Sequence, residues 1–495
     1  MKRVLRAVSI LALAALVAGV SASCGNASTA GSRAPRVSIL SVSANPAGRA
    51  VPSGFLGLSM EYKGLAAYAG TNPAQIDSAF VNVVRNLSPT GAPVLRVGGD
   101  STDWTWWPVP GMARPGGVRF DLTPRYMAVA RQVVEMLHGR LILGLNLEAN
   151  SHRVAATEAA QMLARLGRSN IAALELGNEP ELYGSFPWYK TATGRHVLGR
   201  PRSYDVQDYL GDFSRVAQGL PAVSLAGPSS GSANWLGSLG AFAARERRVG
   251  LITVHAYPLK RCGSSPELRP TQFFQASSLQ GLADMIGGWV RTAAAHRLPL
   301  RIDEMNSISC GGQADLSSAF APALWAVDVL PRIVSAGASG VNFHTIPGTW
   351  QSLISAADRR SGWHIRVQPE YYGLMMFAEG APAGSRMMRI SGPAAATLDA
   401  WATRARSGQI HVVLINKGLS ALRVRLKLPV TGPATLTRLL SPDLLALDDA
   451  TLGGQTISLT TGQLSGTSTA TTVAPARGTY ALRVPAYSAA MLTTG

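Results

Sequence analysis

The chain has 495 residues, with 46 Lys and Arg against 28 Asp and Glu and a formal net charge of +18. That length exceeds one ordinary domain and suits a barrel of about 250 to 350 residues with a smaller companion. The basic residues are nearly all Arg and are scattered, without basic runs or interleaved aromatics, which argues against a nucleic-acid surface. The charge leaves open an acidic polymer as partner or simply a basic surface.

In chain order, Lys2, Arg3 and Arg6 precede the apolar run Val8 to Val20 and then small residues, the layout of a secretory signal over residues 1–23. Cleavage falls either after Ala22 or before Cys24, with lipid on that thiol. Residues 24–35, rich in Ser, Ala and Gly, suit a flexible tether. No other apolar stretch is long enough to span a bilayer, so a membrane is expected only through that anchor. Of the three cysteines, Cys262 and Cys310 remain to pair with one another in an exported protein.

A strand over residues 36–46 is expected to join the C-terminal region. Eight short β-rich runs follow, at Phe55 to Met60, Val94 to Val97, Leu141 to Asn146, Ile171 to Leu176, Ala222 to Ala226, Leu251 to His255, Leu298 to Ile302 and Gly340 to Phe343. Continuous apolar strands alternating with Ala/Leu-rich helical stretches read as parallel βα units, and hence as a (β/α)8 TIM barrel over residues 47–379. Gly380 to Gly384 marks a boundary. Runs at Ile410 to Ile415, Leu422 to Leu428, Thr456 to Leu459 and Tyr480 to Val484, between turn residues, read as an antiparallel β-sandwich over residues 385–495.

Two carboxylates stand out. Glu179 lies in Gly177-Asn178-Glu179-Pro180 just after strand four, and Glu304 ends strand seven. Acids at strand exits point into the barrel mouth, where this fold carries out its chemistry. A pair of them suits glycoside hydrolysis, one protonating the leaving oxygen and the other attacking the sugar carbon or activating water. Asp303, adjacent to Glu304, is expected to point to the opposite face, and Glu148, near the end of strand three, ranks last among the acids. There is no Cys-x-x-Cys, no His-x-x-x-His on a helix and no phosphate loop, so neither metal nor cofactor is expected.

These motifs, with the trailing β-domain, resemble clan A retaining glycosidases and, more narrowly, glycoside hydrolase family 79, which holds β-glucuronidases and heparanase-like enzymes. The likeness runs from Phe55-Leu56-Gly57-Leu58-Ser59-Met60-Glu61 to the terminal Tyr480 to Ala490 segment. It implies Glu179 as acid/base, Glu304 as nucleophile, Asn178 on the sugar hydroxyl beside the anomeric carbon, and Tyr257, in Val254-His255-Ala256-Tyr257-Pro258, against the nucleophile. It further implies that the Gly311 and Gly312 N–H groups hold a substrate carboxylate, although Ser309 stands where related enzymes carry a tyrosine.

On the residues themselves, Arg96 is expected to face inward and pair with Glu304 or Glu175. The Gly98-Gly99 pair would let backbone approach the sugar. Glu61, Asp100 and Asp103 are candidates for its remote hydroxyls, burial and nearby negative charge are expected to keep Glu179 protonated, and His255 is expected to be structural. Cys262 and Cys310 fall on neighbouring top loops, where a disulfide would stiffen the pocket. The reading is an exported retaining β-glycosidase for β-D-glucuronides or another uronic-acid-containing glycan. The alternatives are a neutral-sugar β-glycosidase (glucoside or xyloside) and an inactive carbohydrate-binding surface lipoprotein.

Overall fold

The computed structural model describes residues 37–359 and 362–495. The leader, Cys24 and the 24–35 tether lie outside the described residues. Eight parallel strands close into a barrel: β1 (Leu56–Glu61), β2 (Val94–Gly98), β3 (Arg140–Leu145), β4 (Ile171–Leu176), β5 (Leu225–Ser230), β6 (Val249–His255), β7 (Leu300–Met305) and β8 (Gly340–Thr345). All eight expected runs are strands of this barrel. The fifth is displaced, since Pro221 to Ser224 form the approach and β5 extends to Ser230.

Alternation explains both the wall and the lumen. Leu56, Leu58 and Met60 of β1, Leu95 and Val97 of β2, and Leu141, Leu143 and Leu145 of β3 pack into the large apolar core. The intervening positions face the lumen, which here is polar. Arg301 lies near its base, donating to Asn342 Oδ1 and the Gly54 carbonyl. Gly340 must be glycine there, because a Cβ would fall 1.9 Å from the Arg301 guanidinium.

Helices Ala321–Ala336 and Pro369–Gly380 are almost wholly buried, because they lie between the barrel and a second β-region. That region is one sheet of ten strands, including Arg386–Ser391, Leu398–Arg404, Ile410–Asn416, Leu422–Lys427, Ala434–Leu440, Tyr480–Val484 and Ser488–Thr494. Alternate residues such as Val412, Leu414, Val424, Leu426 and Leu482 build a second apolar core beneath it. Pairing is antiparallel with one exception. The N-terminal strand Ser38–Ala50 runs antiparallel to Arg386–Ser391 and parallel to Leu422–Lys427, with Ser38 opposite Val424. Thr456–Ile457 does not enter this sheet; it pairs with Leu464–Ser465 in a small hairpin beside it. The Trp401 indole N–H donates to the Val327 carbonyl (2.9 Å) and Lys417 Nζ meets buried Asp328 (3.0 Å), tying sheet to helix. Among the described residues no helix is long and apolar enough to cross a membrane.

Candidate active site

The site is built around Arg96 of β2, which is fully buried. Its Nε lies 2.7 Å from Glu175 Oε2 and 2.9 Å from Asp303 Oδ2, and its Nη1 lies 2.7 Å from Glu304 Oε2. Nη2 donates to Asn178 Oδ1 (2.8 Å) and Ser229 Oγ (3.0 Å). Arg96 therefore meets both Glu304 and Glu175 rather than one of them. Asp303 also reaches it, contrary to expectation. The pairing of β6 with β7 is irregular here, Val254 facing Ile302 while His255 faces Glu304. Such a bulge sets two successive residues against one on the neighbouring strand and breaks the alternation of faces. Burial and the neighbouring Glu175 push the Asp303 carboxyl far up, against the pull of Arg96 and His255.

Glu304 accepts from the Tyr257 hydroxyl (2.9 Å) and Arg96, and has His255 and His344 each 3.8 Å away. Burial alone would raise its carboxyl. His255, His344, Arg96 and the Tyr257 hydroxyl overcome that and hold it well below the ordinary carboxylate range. Tyr257 stays protonated, since burial and Glu304 both push it up. Its oxygen in turn accepts from the Gln351 side-chain amide (2.9 Å).

Glu179 follows β4 in a left-handed conformation, φ 42° and ψ 56°. Its N–H donates to the Ser229 carbonyl (2.8 Å), which pins the turn. Gly177, at φ 83°, is required because a Cβ there would fall 2.6 Å from the Tyr183 hydroxyl. The Glu179 carboxylate is part-exposed rather than buried, and lies 2.8 Å from His255 Nδ1. Burial opposes charge on His255, but Glu304, Glu179 and Asp303 outweigh it and raise the imidazole to about 10. His255 is thus a cation wedged between the two carboxylates, and its role is not merely to fill the core. Oxygens of Glu179 and Glu304 and Nδ1 of His255 lie within 4.8 Å of one another. That spacing suits a cation, but a guanidinium 2.7 Å from Glu304 and a charged imidazole between the acids make the donor set a poor one for a metal.

The candidate sugar contacts divide. Asn178 fixes its oxygen on Arg96 and turns its amide N toward Asp100 (3.5 Å) at the mouth, where Asp100 is exposed. Asp103 is not available to a ligand: it is buried, and its oxygens accept from the backbone N–H of Leu147, Glu148 and Asn178 and from the Tyr183 hydroxyl. It braces the loops after β2, β3 and β4. Glu61 caps the following turn, accepting from the N–H groups of Asp100 and Ser101, with His344 Nε2 3.6 Å away. A Cβ on Gly99 would lie 2.4 Å from Glu61, so that glycine makes room for the cap and not for a ligand.

Gly311 and Gly312 have φ of 82° and 85° and lie beside Gln351. Neither N–H is free in this conformation. Gly311 donates to Gln351 Oε1 (3.1 Å) and Gly312 to the Ser309 carbonyl (3.3 Å). The Cys262 and Cys310 sulfurs are bonded, joining the loops after β6 and β7. Sequence reasoning missed His344 and Gln351. A signal for the first was present, since Asn342 and His344 alternate as polar residues within an apolar strand. Gln351 sits in an irregular loop that carries no such pattern.

A polar-lumened (β/α)8 barrel with two carboxylates at its mouth and an appended β-domain is a fold shared with glycoside hydrolases of known structure. A 4-O-α-L-rhamnosyl-β-D-glucuronidase from Fusarium oxysporum superposes with a TM-score of 0.71 at 19% identity, covering 92% of this chain and all of that one. A family 51 arabinofuranosidase from Xanthomonas axonopodis pv. citri gives 0.62 at 15%, with 92% and 99% coverage, and the catalytic domain of a family 30 xylanase from Talaromyces cellulolyticus gives 0.52 at 12%, with the same coverage. At these identities the likeness is one of fold. No protein-family model matches the chain, and no curated protein does.

Proposed function

We propose that this protein is a retaining β-glycosidase in which Glu304 is the nucleophile and Glu179 the acid/base. One observation carries the reading: oxygens of the two carboxylates approach within 4.8 Å of one another at the barrel mouth. Retaining enzymes hold their carboxyl groups about 5 to 5.5 Å apart, whereas inverting enzymes leave about 6.5 to 9.5 Å for a water. Glu304, kept anionic by Arg96 and Tyr257, attacks the anomeric carbon. Glu179 gives its proton to the departing oxygen, then activates water against the glycosyl-enzyme. Asn178, anchored by Arg96, presents its amide N–H to the neighbouring hydroxyl.

The favoured substrate is a β-D-glucuronide, as the family 79 resemblance implies and as the fold likeness to a glucuronidase supports. Its carboxylate would replace the Gln351 carbonyl oxygen on the Gly311 N–H. A neutral-sugar reading is favoured by a different observation, that both glycine N–H groups are already bonded within the protein. Export is proposed from the leader pattern together with the Cys262–Cys310 bond, since disulfides persist in oxidising compartments. Lipidation of Cys24 remains one of two ways to complete that leader.

The test pairs kinetics with stereochemistry on aryl β-glucuronide, glucoside and xyloside. Glu304→Ala should stall on every substrate. Glu179→Ala should still form the intermediate from activated aryl glycosides, and azide should restore its turnover. A first product of inverted configuration by NMR, or near-normal activity in Glu304→Ala, would reject the mechanism. Wild-type preference for the glucoside would reject the glucuronide.

A further inference from the structure

The hydrogen bonds around Gln351 have a direction that its neighbours dictate. The residue lies in the loop after β8, is 3% exposed, and uses each of its polar groups on the loops beside it. Its main-chain N–H donates to the Gly311 carbonyl (3.2 Å) and its carbonyl accepts from Asn306 Nδ2 (3.0 Å). Its side-chain Oε1 accepts from the Gly311 N–H (3.1 Å) and its Nε2 donates to the Tyr257 hydroxyl (2.9 Å). The loops after β6, β7 and β8 therefore meet on one residue. Gly311 is itself held, because the preceding Cys310 is bonded to Cys262. A substrate carboxylate on the Gly311 N–H would displace one of these four bonds and leave the other three.

A backbone N–H can only donate, so the side-chain atom that faces Gly311 must be the oxygen, and the nitrogen is left to face Tyr257. That nitrogen can only donate in its turn. The Tyr257 oxygen must then accept from it, and the single hydroxyl proton is left for Glu304 Oε1, 2.9 Å away. Among the described residues the hydroxyl has no third hydrogen-bond partner. A hydroxyl otherwise rotates to suit its surroundings, so the donor on Gln351 is what settles where this proton points. Hydrogen bonds in such a chain also polarise one another, which makes the hydroxyl a stronger donor. Burial and Glu304 raise the Tyr257 hydroxyl, and the bond from Gln351 works against them.

We propose that Gln351 is a positioning residue for the nucleophile: it aims the Tyr257 proton at Glu304 and so holds that carboxylate in place for attack. The proposal rests on the glycosidase reading above and adds to it a residue that acts through Tyr257. The order of donors and acceptors, from the Gly311 N–H through Gln351 and Tyr257 to Glu304, carries it.

A double-mutant cycle on the aryl glycoside that the wild type turns over fastest tests this. Gln351→Met removes the donor at nearly constant volume and should lower kcat about tenfold with KM little changed. In the Tyr257→Phe background, where no hydroxyl is left to direct, the same change should lower kcat by less than about threefold. Losses that multiply in the double variant would overturn the proposal. Gln351→Glu is the variant that a packing role would tolerate, since it keeps the size of the side chain and the acceptor for Gly311 but offers Tyr257 a carboxylate in place of a donor. Its kcat at neutral pH should fall at least as far as that of Gln351→Met, and a wild-type kcat would overturn the proposal. Glu304→Ala separates the two readings. If it keeps near-normal activity, the catalytic reading fails and the proposal falls with it. If it is inactive while the losses of Gln351→Met and Tyr257→Phe multiply, only the proposal falls.

Discussion

Arg96 carries a demand that no other cation would meet. Its fork supplies N–H groups in three directions at once, to Glu175 and Asp303, to Glu304, and to Asn178 and Ser229. An ammonium is a point charge and could serve only part of that set. The result is a Glu304 carboxylate that stays ionised far into acid. Because hydrogen bonding to the charged form lowers a pKa, Tyr257→Phe should move the acidic limb of the kcat/KM profile toward higher pH. A rate loss of roughly tenfold is also expected from the lost alignment. An unmoved acidic limb would mean that Tyr257 does not tune Glu304. The inward pairing of Arg96 with carboxylates was legible from the period of the strands. The convergence of Asp303 and Glu304 on it was not, because a bulge depends on how the neighbouring strand pairs, which sequence alternation does not record.

At the scale of elements, the loop after β7 distinguishes its two glycines. A Cβ on Gly311 meets open space, whereas on Gly312 it would fall 2.6 Å from Ser317 Oγ and 3.1 Å from the Gln351 N. Both positions are left-handed and cost an Ala about 1 to 2 kcal/mol. Gly312→Ala should therefore lower Tm more than Gly311→Ala, and equal shifts would refute the packing difference. If the Gly311 N–H also receives a substrate carboxylate, Gly311→Ala should reduce glucuronide turnover more than glucoside turnover. Eight apolar runs bounded by turn residues made the barrel strands readable to within a few residues. The engagement of the glycine N–H groups was hidden, because it depends on Gln351, about 40 residues downstream in an aperiodic loop.

At the scale of the whole molecule, the barrel and the β-region share a buried seam rather than a hinge. Asp328 is 2% exposed and relies on Lys417 and Arg332. Lys417→Met should leave that carboxylate short of a partner and destabilise the protein by about 3 kcal/mol, in the range of broken buried pairs. Denaturant unfolding would measure it, and a change below a few tenths of a kcal/mol would mean that Arg332 alone suffices. The two regions were legible as a change of texture near Gly380. Their seam was not, since helix Ala321–Ala336 reads as apolar on nearly every side whether it is covered by barrel or by sheet.

The N-terminal strand has a bearing on how the molecule is made. Ser38–Ala50 is an interior strand of the C-terminal sheet, hydrogen-bonded on both flanks by segments that begin at Arg386 and Leu422. During vectorial synthesis its partners emerge only after more than three hundred further residues, so this sheet cannot close before the barrel has been made. The first described strand must wait for the last third of the chain, and a chain begun at Pro52 would leave two strand edges facing an empty place. The domain that comes last in sequence is in this sense stitched to the beginning, and severing the chain at the apparent boundary near Gly380 would leave the barrel its eight strands but strip the sheet of one interior strand.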